Sequence, residues 1–312
     1  MTELETAAAA RGSATWRILQ PTRHGGLGCL PHEFVEAICE AAAADVSAGW
    51  LAAIANAAAF DIAQQPDHIG DAVWGEDPEA IITTSSHGTG AIDENGRLVG
   101  RWDSIVAAAQ ADWLLLPVGG PGARRVLIPR GVAHVDVIDR ASGLRPAGTG
   151  AVSVSNAVID RGFVLAGASG DAIMLARAGV AAAVVGSADG LLRTHIDEVR
   201  ARLAASRDGD EVTDESAAQV AWATSDIDAA RVQVAASVQQ PQAGERTAWA
   251  HQQAVARARD AADRLMAHSR HALNASDAVT QRWGDIHAGC RLAGALLAHS
   301  GAWAAQSSDP AG

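Results

Sequence analysis

The chain has 312 residues, 48% of them hydrophobic and 19% charged, enough apolar material for a sizeable core and too little charge for disorder as the main state. Its 24 basic residues, all arginine, face 36 acidic ones; the net charge of −12 opposes a phosphate backbone and excludes a nucleic-acid partner. Three cysteines, with no C-x-x-C pair and no Cys/His cluster at zinc spacing, exclude a disulfide scaffold, leave no metal site and fit a reducing cytoplasm.

Residues 1–17 are acidic and then alanine-rich, without the basic start and apolar run of a secretory signal. From 31 to 62 apolar Phe34, Ile38 and Ala42 recur every four residues and Trp50 and Ile54 repeat the step, which predicts a helical opening section. A short helix is expected over 64–74, with Pro66 in its first turn. The pattern then changes. Short apolar runs at 81–84, 98–102, 113–117, 126–129, 135–138 and 152–159, separated by Gly, Pro and Asn, predict antiparallel strands. Segments 93–96 (Asp-Glu-Asn-Gly) and 119–122 (Gly-Gly-Pro-Gly) supply the residues that tolerate positive φ in hairpin turns.

Past Gly170 the helical period returns in four blocks, divided at 207–211, 240–245 and 274–277, which implies a four-helix bundle. Thr213 is a candidate N-cap with Asp214 and Glu215 in the first turn, and Ser276 or Asp277 caps the last block. In that block Val279, Trp283, Ile286, Cys290, Ala293 and Leu297 form one apolar stripe, on which Cys290 reads as an inert packed thiol. Gly179, Gly186, Gly289 and Gly294 either let helices approach closely or leave room for a flat ligand. No uncharged run is both long and apolar enough to span a bilayer; 172–192 comes nearest but contains Arg177 and Asp189, so a soluble protein without a membrane partner is expected. The fold class is α+β, divided into an N-terminal helical part (1–78), a central β part (79–166) and a C-terminal bundle (167–312).

Several local strings occur along this order of elements: Leu19-Gln20-Pro21 with Gly25-Gly26-Leu27, Ser47-Ala48-Gly49-Trp50, Val73-Trp74-Gly75-Glu76-Asp77-Pro78, Gly100-Arg101-Trp102, Ala111-Asp112-Trp113, Gly143-Leu144-Arg145 with Gly148-Thr149-Gly150, and Asp285-Ile286-His287-Ala288. Together, over residues 14–300, they resemble the acyl-CoA dehydrogenase superfamily, and within it the two-component, reduced-flavin-dependent monooxygenases. The resemblance implies an N-terminal helical domain, a central antiparallel β-barrel-like domain and a four-helix bundle that joins subunits into a tetramer or dimer. It implies reduced FMN or FAD delivered by a separate flavin reductase, bound between sheet and bundle, and hydroxylation of an aromatic or polycyclic small molecule. The oxygen chemistry is the cofactor's, and the protein positions, hydrogen-bonds and excludes water.

His87, in the polar loop 85–90 where a ligand edge can reach it, is a candidate catalytic residue against a solvated turn, and the resemblance turns His287, one step off the apolar stripe, toward the ligand side as a second candidate against a surface or interfacial His. Candidate flavin contacts are Trp102 as a ring wall, although a strand Trp is usually core, Gly148, Thr149 and Gly150 beside the pyrophosphate or pocket, although such a string more often marks a tight strand connection, and Arg282 and Asp285. Arg282 and Asp285, three apart on one helix, can also simply pair. The chain departs from the family pattern at four polar positions: Val106 stands for a serine, Gln110 and Leu292 for histidines, and Gly284 for an arginine. Those departures support an alternative, a degenerate member without redox activity that acts as a structural partner or a flavin-independent pocket protein. A third reading, acyl-CoA desaturation, needs a carboxylate base; residues 246–312 contain no Glu, which leaves Glu198. No G-x-G-x-x-G between strand and helix and no P-loop is present, so nucleotide binding of those kinds is not expected.

Overall fold

A computed structural model describes residues 14–85, 88–119, 124–137, 144, 147–205, 212–239, 245–267 and 277–306. The helical opening is two helices, α1 (Pro31–Ala44) and α2 (Val46–Ala63), where periodicity predicted one section. The break falls at Asp45, whose extended backbone (φ −141°, ψ 114°) ends α1 while its carboxylate accepts a hydrogen bond from the Ala48 amide at 3.0 Å and caps α2. The short α3 (Asp67–Trp74) starts directly after Pro66.

The middle section forms two four-stranded sheets. One contains β1 (Ile82–Thr84), β4 (Trp113–Pro117), β5 (Arg125–Pro129) and β8 (Val164–Leu165) in the order β1-β4-β5-β8. The other contains β2 (Thr89–Ile92), β3 (Arg97–Ile105), β6 (His134–Val137) and β7 (Gly150–Val158) in the order β2-β3-β7-β6. Among the described residues, six of the eight strands fall on the predicted runs; β2 and β8 do not, since neither carries an alternating pattern. The expectation of antiparallel pairing holds except at β1 and β4, which run parallel with Ile82 opposite Trp113. The β2–β3 turn is the expected one: Gly96 takes φ 74°, and the Asp93 carboxylate accepts from the Arg97 amide at 2.8 Å. Of 119–122, Gly119 has φ 82° and the remainder lies outside the described residues.

The bundle consists of α4 (Gly170–Ala205), α5 (Asp214–Gln239), α6 (Glu245–Ala267) and α7 (Ala278–Gln306). Thr213 caps α5, accepting from the Ser216 amide at 3.1 Å, and Asp277 caps α7, accepting from Thr280 at 2.7 Å; Ser276 lies outside the described residues. Along α7 the side chains of Val279, Ile286, Ala293 and Leu297 are buried, with Trp283 and Cys290 half-buried. The small residues mostly serve helix approach. A Cβ on Gly186 would lie 2.1 Å from the Cys39 carbonyl oxygen, one on Gly179 would lie 2.8 Å from the Phe34 ring, and one on Gly289 would lie 2.9 Å from Trp50 Nε1, whereas Gly294 faces open space. Contrary to the sequence reading, α2 and α4 are both long and apolar enough to cross a bilayer, with mean hydropathy 1.4. Those stretches are 83% and 78% buried inside the protein, which makes them core helices.

Candidate functional site

A cavity of about 160 Å³ opens where the β1-β4-β5-β8 sheet meets the helices. Its walls are apolar and small-sided: Ile54, Ala57 and Ala58 of α2 on one side, Ala172, Ala176 and Val180 of α4 on the other, with Leu296 of α7 across the end. Small side chains here follow from the alanine-rich sequence of α2 and α4, and they leave open space between the two helix surfaces at this level. The sheet contributes polar groups at its strand ends, Thr84 and Ser85 after β1, together with Pro117 at the end of β4. Thr84 Oγ1 donates to the Leu115 carbonyl at 2.9 Å, which fixes its side chain at the rim.

Among the described residues, three charged side chains line the cavity: Asp61, Arg125 and Arg177. Asp61 on α2 and Arg125 on β5 are 6% and 5% exposed and form a two-pronged ion pair, with Nη2 at 3.1 Å from Oδ1 and Nη1 on Oδ2. Arg125 Nε also donates to the Ala166 carbonyl at 3.0 Å, so one guanidinium joins α2, the sheet and the lead-in to α4. Arg177 is half-buried on α4, and loss of hydration lowers its pKa. His251 of α6, near enough to Arg177 to feel its charge, is wholly buried, with Nε2 2.8 Å from Ser237 Oγ. Ser237 donates to the Val234 carbonyl at 2.6 Å, so its hydroxyl oxygen is left to accept from Nε2. Burial, then the nearby Arg177 charge, pulls the His251 pKa down to about 4, which keeps the ring neutral near pH 7.

The residues singled out by sequence do not converge on this cavity. His87 lies outside the described residues. Trp102 has no exposed surface: its Nε1 donates to the Pro117 carbonyl at 2.9 Å, and its ring lies where a Cβ on Gly88 or Gly90 would fall, 1.9 and 2.3 Å away. Its indole thus packs against β2 and the end of β4. Gly148, at φ 56°, is covered by the Gln110 amide, which would be 2.0 Å from a Cβ there, and Gly150 is packed on the Asp136 carbonyl; of that trio Thr149 alone keeps surface. A phosphate at 148–150 would have to displace the Gln110 amide from Gly148.

Arg282 donates from both Nη atoms to the Ala43 and Ala44 carbonyls at 3.0 Å, capping the C-terminus of α1. Its expected pairing with Asp285 gives way to that cap. Asp285 accepts instead from the Leu144 amide at 2.7 Å; burial raises its pKa while that hydrogen bond opposes the rise. His287 turns toward α6, with Nε2 2.7 Å from Asp263 Oδ1, an oxygen that also accepts from Trp283 Nε1 at 2.8 Å. Asp285 and the 148–150 segment do meet, through Leu144 and Ala147, at the junction of sheet and bundle. Ser104 (φ 59°), Ala107 (φ 63°) and Leu144 (φ 54°) are non-glycine residues in the left-handed region close to that junction, at about 1 kcal/mol or more each. Neither Val106 nor Leu292 borders the cavity. Glu198 stands 21 positions beyond Arg177 on α4, roughly 30 Å away, too far to act as a base there.

Asp61, Arg125, Arg177 and His251 escaped the sequence reading. A signal existed: Asp61 stands between Phe60 and Ile62, and Arg177 between Ala176 and Ala178, and a charge inside an apolar helical run must find a partner or a ligand.

No protein-family model matches the chain. The chain is 29% identical over 265 residues to the oxygenase subunit HsaA of a flavin-dependent monooxygenase from Mycobacterium tuberculosis, covering 75% of this chain and 67% of that one. It is 28% identical over 318 residues to HsaA from Rhodococcus jostii, covering 88% and 83%. Among solved structures, the 3-HSA hydroxylase from Rhodococcus sp. RHA1 superposes with a TM-score of 0.82 at 23% identity, over 99% of this chain and 93% of that one. XiaF from Streptomyces sp., solved in complex with FADH2 and glycerol, gives 0.81 at 19% identity, over 95% and 87%. Glutaryl-CoA dehydrogenase from Mycobacterium smegmatis gives 0.78 at 15% identity, over 98% and 87%.

Proposed function

From a chain that belongs to the acyl-CoA dehydrogenase superfamily, with flavin-dependent monooxygenase oxygenase subunits as homologues, we propose an oxygenase component that hydroxylates an aromatic or polycyclic small molecule at the seam cavity. The observation that carries this reading is the cavity itself, apolar on two opposed faces and polar at its sheet edge, where the superfamily fold is shared with these homologues. Reduced FMN or FAD, when bound, supplies the activated oxygen, and a flavin reductase supplies the reduced flavin.

The donor set suits the ring of a flavin. Ser85 sets a hydroxyl at the sheet edge, Thr84 Oγ1, whose proton goes to the Leu115 carbonyl, keeps acceptor capacity there, and the alanines on α2 and α4 leave width for flat rings. Phosphates are poorly served at 148–150, where Gln110 already occupies the glycine surface. Leu296, Ile54 and Val180 exclude water from the reacting atoms. Asp61 is tied up by Arg125 and Thr84 Oγ1 gives its one proton to the Leu115 carbonyl, so the Ser85 hydroxyl is the group of the cavity's sheet edge that would hold or pass a proton to a substrate oxygen. The division at 78/79 and 166/167, a cytoplasmic location, and a tetramer or dimer through the bundle complete the reading. Trp222 and Trp249, 58% and 63% exposed on α5 and α6, support the last of these.

The test is anaerobic titration with dithionite-reduced FMN and FAD, followed by NAD(P)H-driven substrate oxidation with an unrelated flavin reductase. Saturable binding of either reduced flavin is expected. Absence of binding at high micromolar flavin would leave the non-redox alternative, which the protein-filled surfaces at Trp102 and Gly148 favour.

A further inference from the structure

The Asp61–Arg125 clasp lines the seam cavity, and its own hydrogen bonds do not use up its donors. A guanidinium has five N–H groups in a planar fork. Among the described residues three of them are taken: Nε donates to the Ala166 carbonyl at 3.0 Å, Nη2 to Asp61 Oδ1 at 3.1 Å, and Nη1 to Asp61 Oδ2. One N–H is left on each Nη. Arg125 is almost wholly buried, and the cavity it lines has Ile54, Ala57, Ala58, Ala172 and Ala176 in its walls, none with an acceptor on its side chain. A buried donor without an acceptor costs free energy, which an oxygen brought into the cavity would recover. The charge of Arg125 is already met by Asp61, whose Oδ1 also lies 3.5 Å from Gln65 Nε2. The clasp thus presents polarised donors on a neutral pair, which suits a carbonyl oxygen. A carboxylate would have to share the guanidinium with Asp61 and bring two like charges together.

Resting on the oxygenase reading of this cavity, we propose that the clasp sets substrate specificity: the ring system that lies between the alanines of α2 and α4 carries a neutral carbonyl oxygen besides the position that is hydroxylated, and the spare Nη hydrogens of Arg125 bind it. Arg125 is the binding residue. Asp61 is a positioning residue, which holds the fork in place and cancels its charge. The ring carbonyls of a flavin offer the same chemistry, and the test separates the two sources.

Equilibrium dialysis of the flavin-free full-length chain with 2-acetylnaphthalene and with 2-isopropenylnaphthalene isolates the acceptor, since the two probes share ring and shape. The ketone should bind at least about fivefold more tightly, and its isotope-labelled carbonyl stretch should fall to lower frequency in the protein than in an apolar solvent. Binding of 2-naphthoate should be no tighter than that of the ketone. The joint replacement Asp61→Leu with Arg125→Met should abolish the preference and return the stretch to its apolar position, with hydrocarbon affinity moved less than about threefold. Ser85→Ala should leave the lowered stretch in place. Equal affinities for ketone and hydrocarbon, binding of neither, tighter binding of naphthoate, a lowered stretch that survives the joint replacement, or its loss in Ser85→Ala would each overturn the proposal. Should the joint replacement fail to fold, the stretch in the unsubstituted protein and in Ser85→Ala decides. Reduced flavin is titrated on the same preparations. The bound ketone should keep its lowered stretch beside the flavin; if flavin abolishes it, the clasp serves the flavin and the inference falls. Flavin binding without ketone preference defeats this inference alone, and ketone preference without flavin binding defeats the oxygenase reading alone.

Discussion

Asp61 and Arg125 illustrate how a charge placed in the core becomes dependent on its partner. Each is under a tenth exposed, and neither could be buried alone without a desolvation cost of several kcal/mol. Asp61→Asn or Arg125→Met should therefore lower unfolding free energy by about 3–5 kcal/mol, and the joint replacement Asp61→Leu with Arg125→Met by much less than the sum; urea denaturation of the three variants measures the difference. His251 gives a second expectation with a definite sign. Its pKa of about 4 in the folded chain lies below its ordinary value of 6.5, so the unfolded chain takes up the proton first as pH falls. The stability is fully present above pH 6.5 and is lost through the window down to about 4, on the order of 3 kcal/mol in all. His251→Gln should flatten the dependence of urea midpoint on pH across that window; an unchanged slope would assign it to other groups. These residues were poorly legible in the sequence because their meaning depends on partners 64 positions away, as Asp61 is from Arg125.

At the level of elements, the contact between α1 and α4 rests on glycine. Gly186 sits so close to the Cys39 carbonyl that any side chain must push the helices apart, and Gly186→Ala should cost about 3 kcal/mol or more, read as a drop in the thermal midpoint. By contrast Gly294→Ala, with open space around it, should be neutral or slightly stabilising through helix propensity. Periodicity made most elements legible: the bundle blocks, their caps at Thr213 and Asp277 and six of the strands follow from spacing alone. What it left out is short or non-local. β8 has too few residues to alternate, the break at Asp45 turns on one carboxylate, and the parallel β1–β4 pairing depends on chain path, which no local pattern records. The site was less legible than the fold. Arg282 and Asp285 look like ligand-facing charges by sequence, yet one caps α1 and the other holds the Leu144 loop.

The whole molecule gathers its cavity from parts distant in sequence: α2, the ends of β1 and β4, the start of β5, the first turns of α4 and a leucine late in α7. A ligand that fills it bridges all of them and should stabilise the chain as a unit. Reduced flavin at about a hundredfold above its dissociation constant should add about 2.7 kcal/mol, a shift of several degrees in thermal midpoint, and a shift below one degree under saturating conditions would mean that flavin does not bind the folded state selectively.

The Asp61–Arg125 clasp also constrains recombination of this protein with its homologues. A crossover placed between residues 61 and 125, with a parent that lacks the pair, separates the carboxylate from its guanidinium, and the resulting chimera inherits an orphaned charge at the rim of the cavity. Functional hybrids should accordingly have their junctions before residue 61 or after residue 125, with both halves of the clasp inherited from one parent.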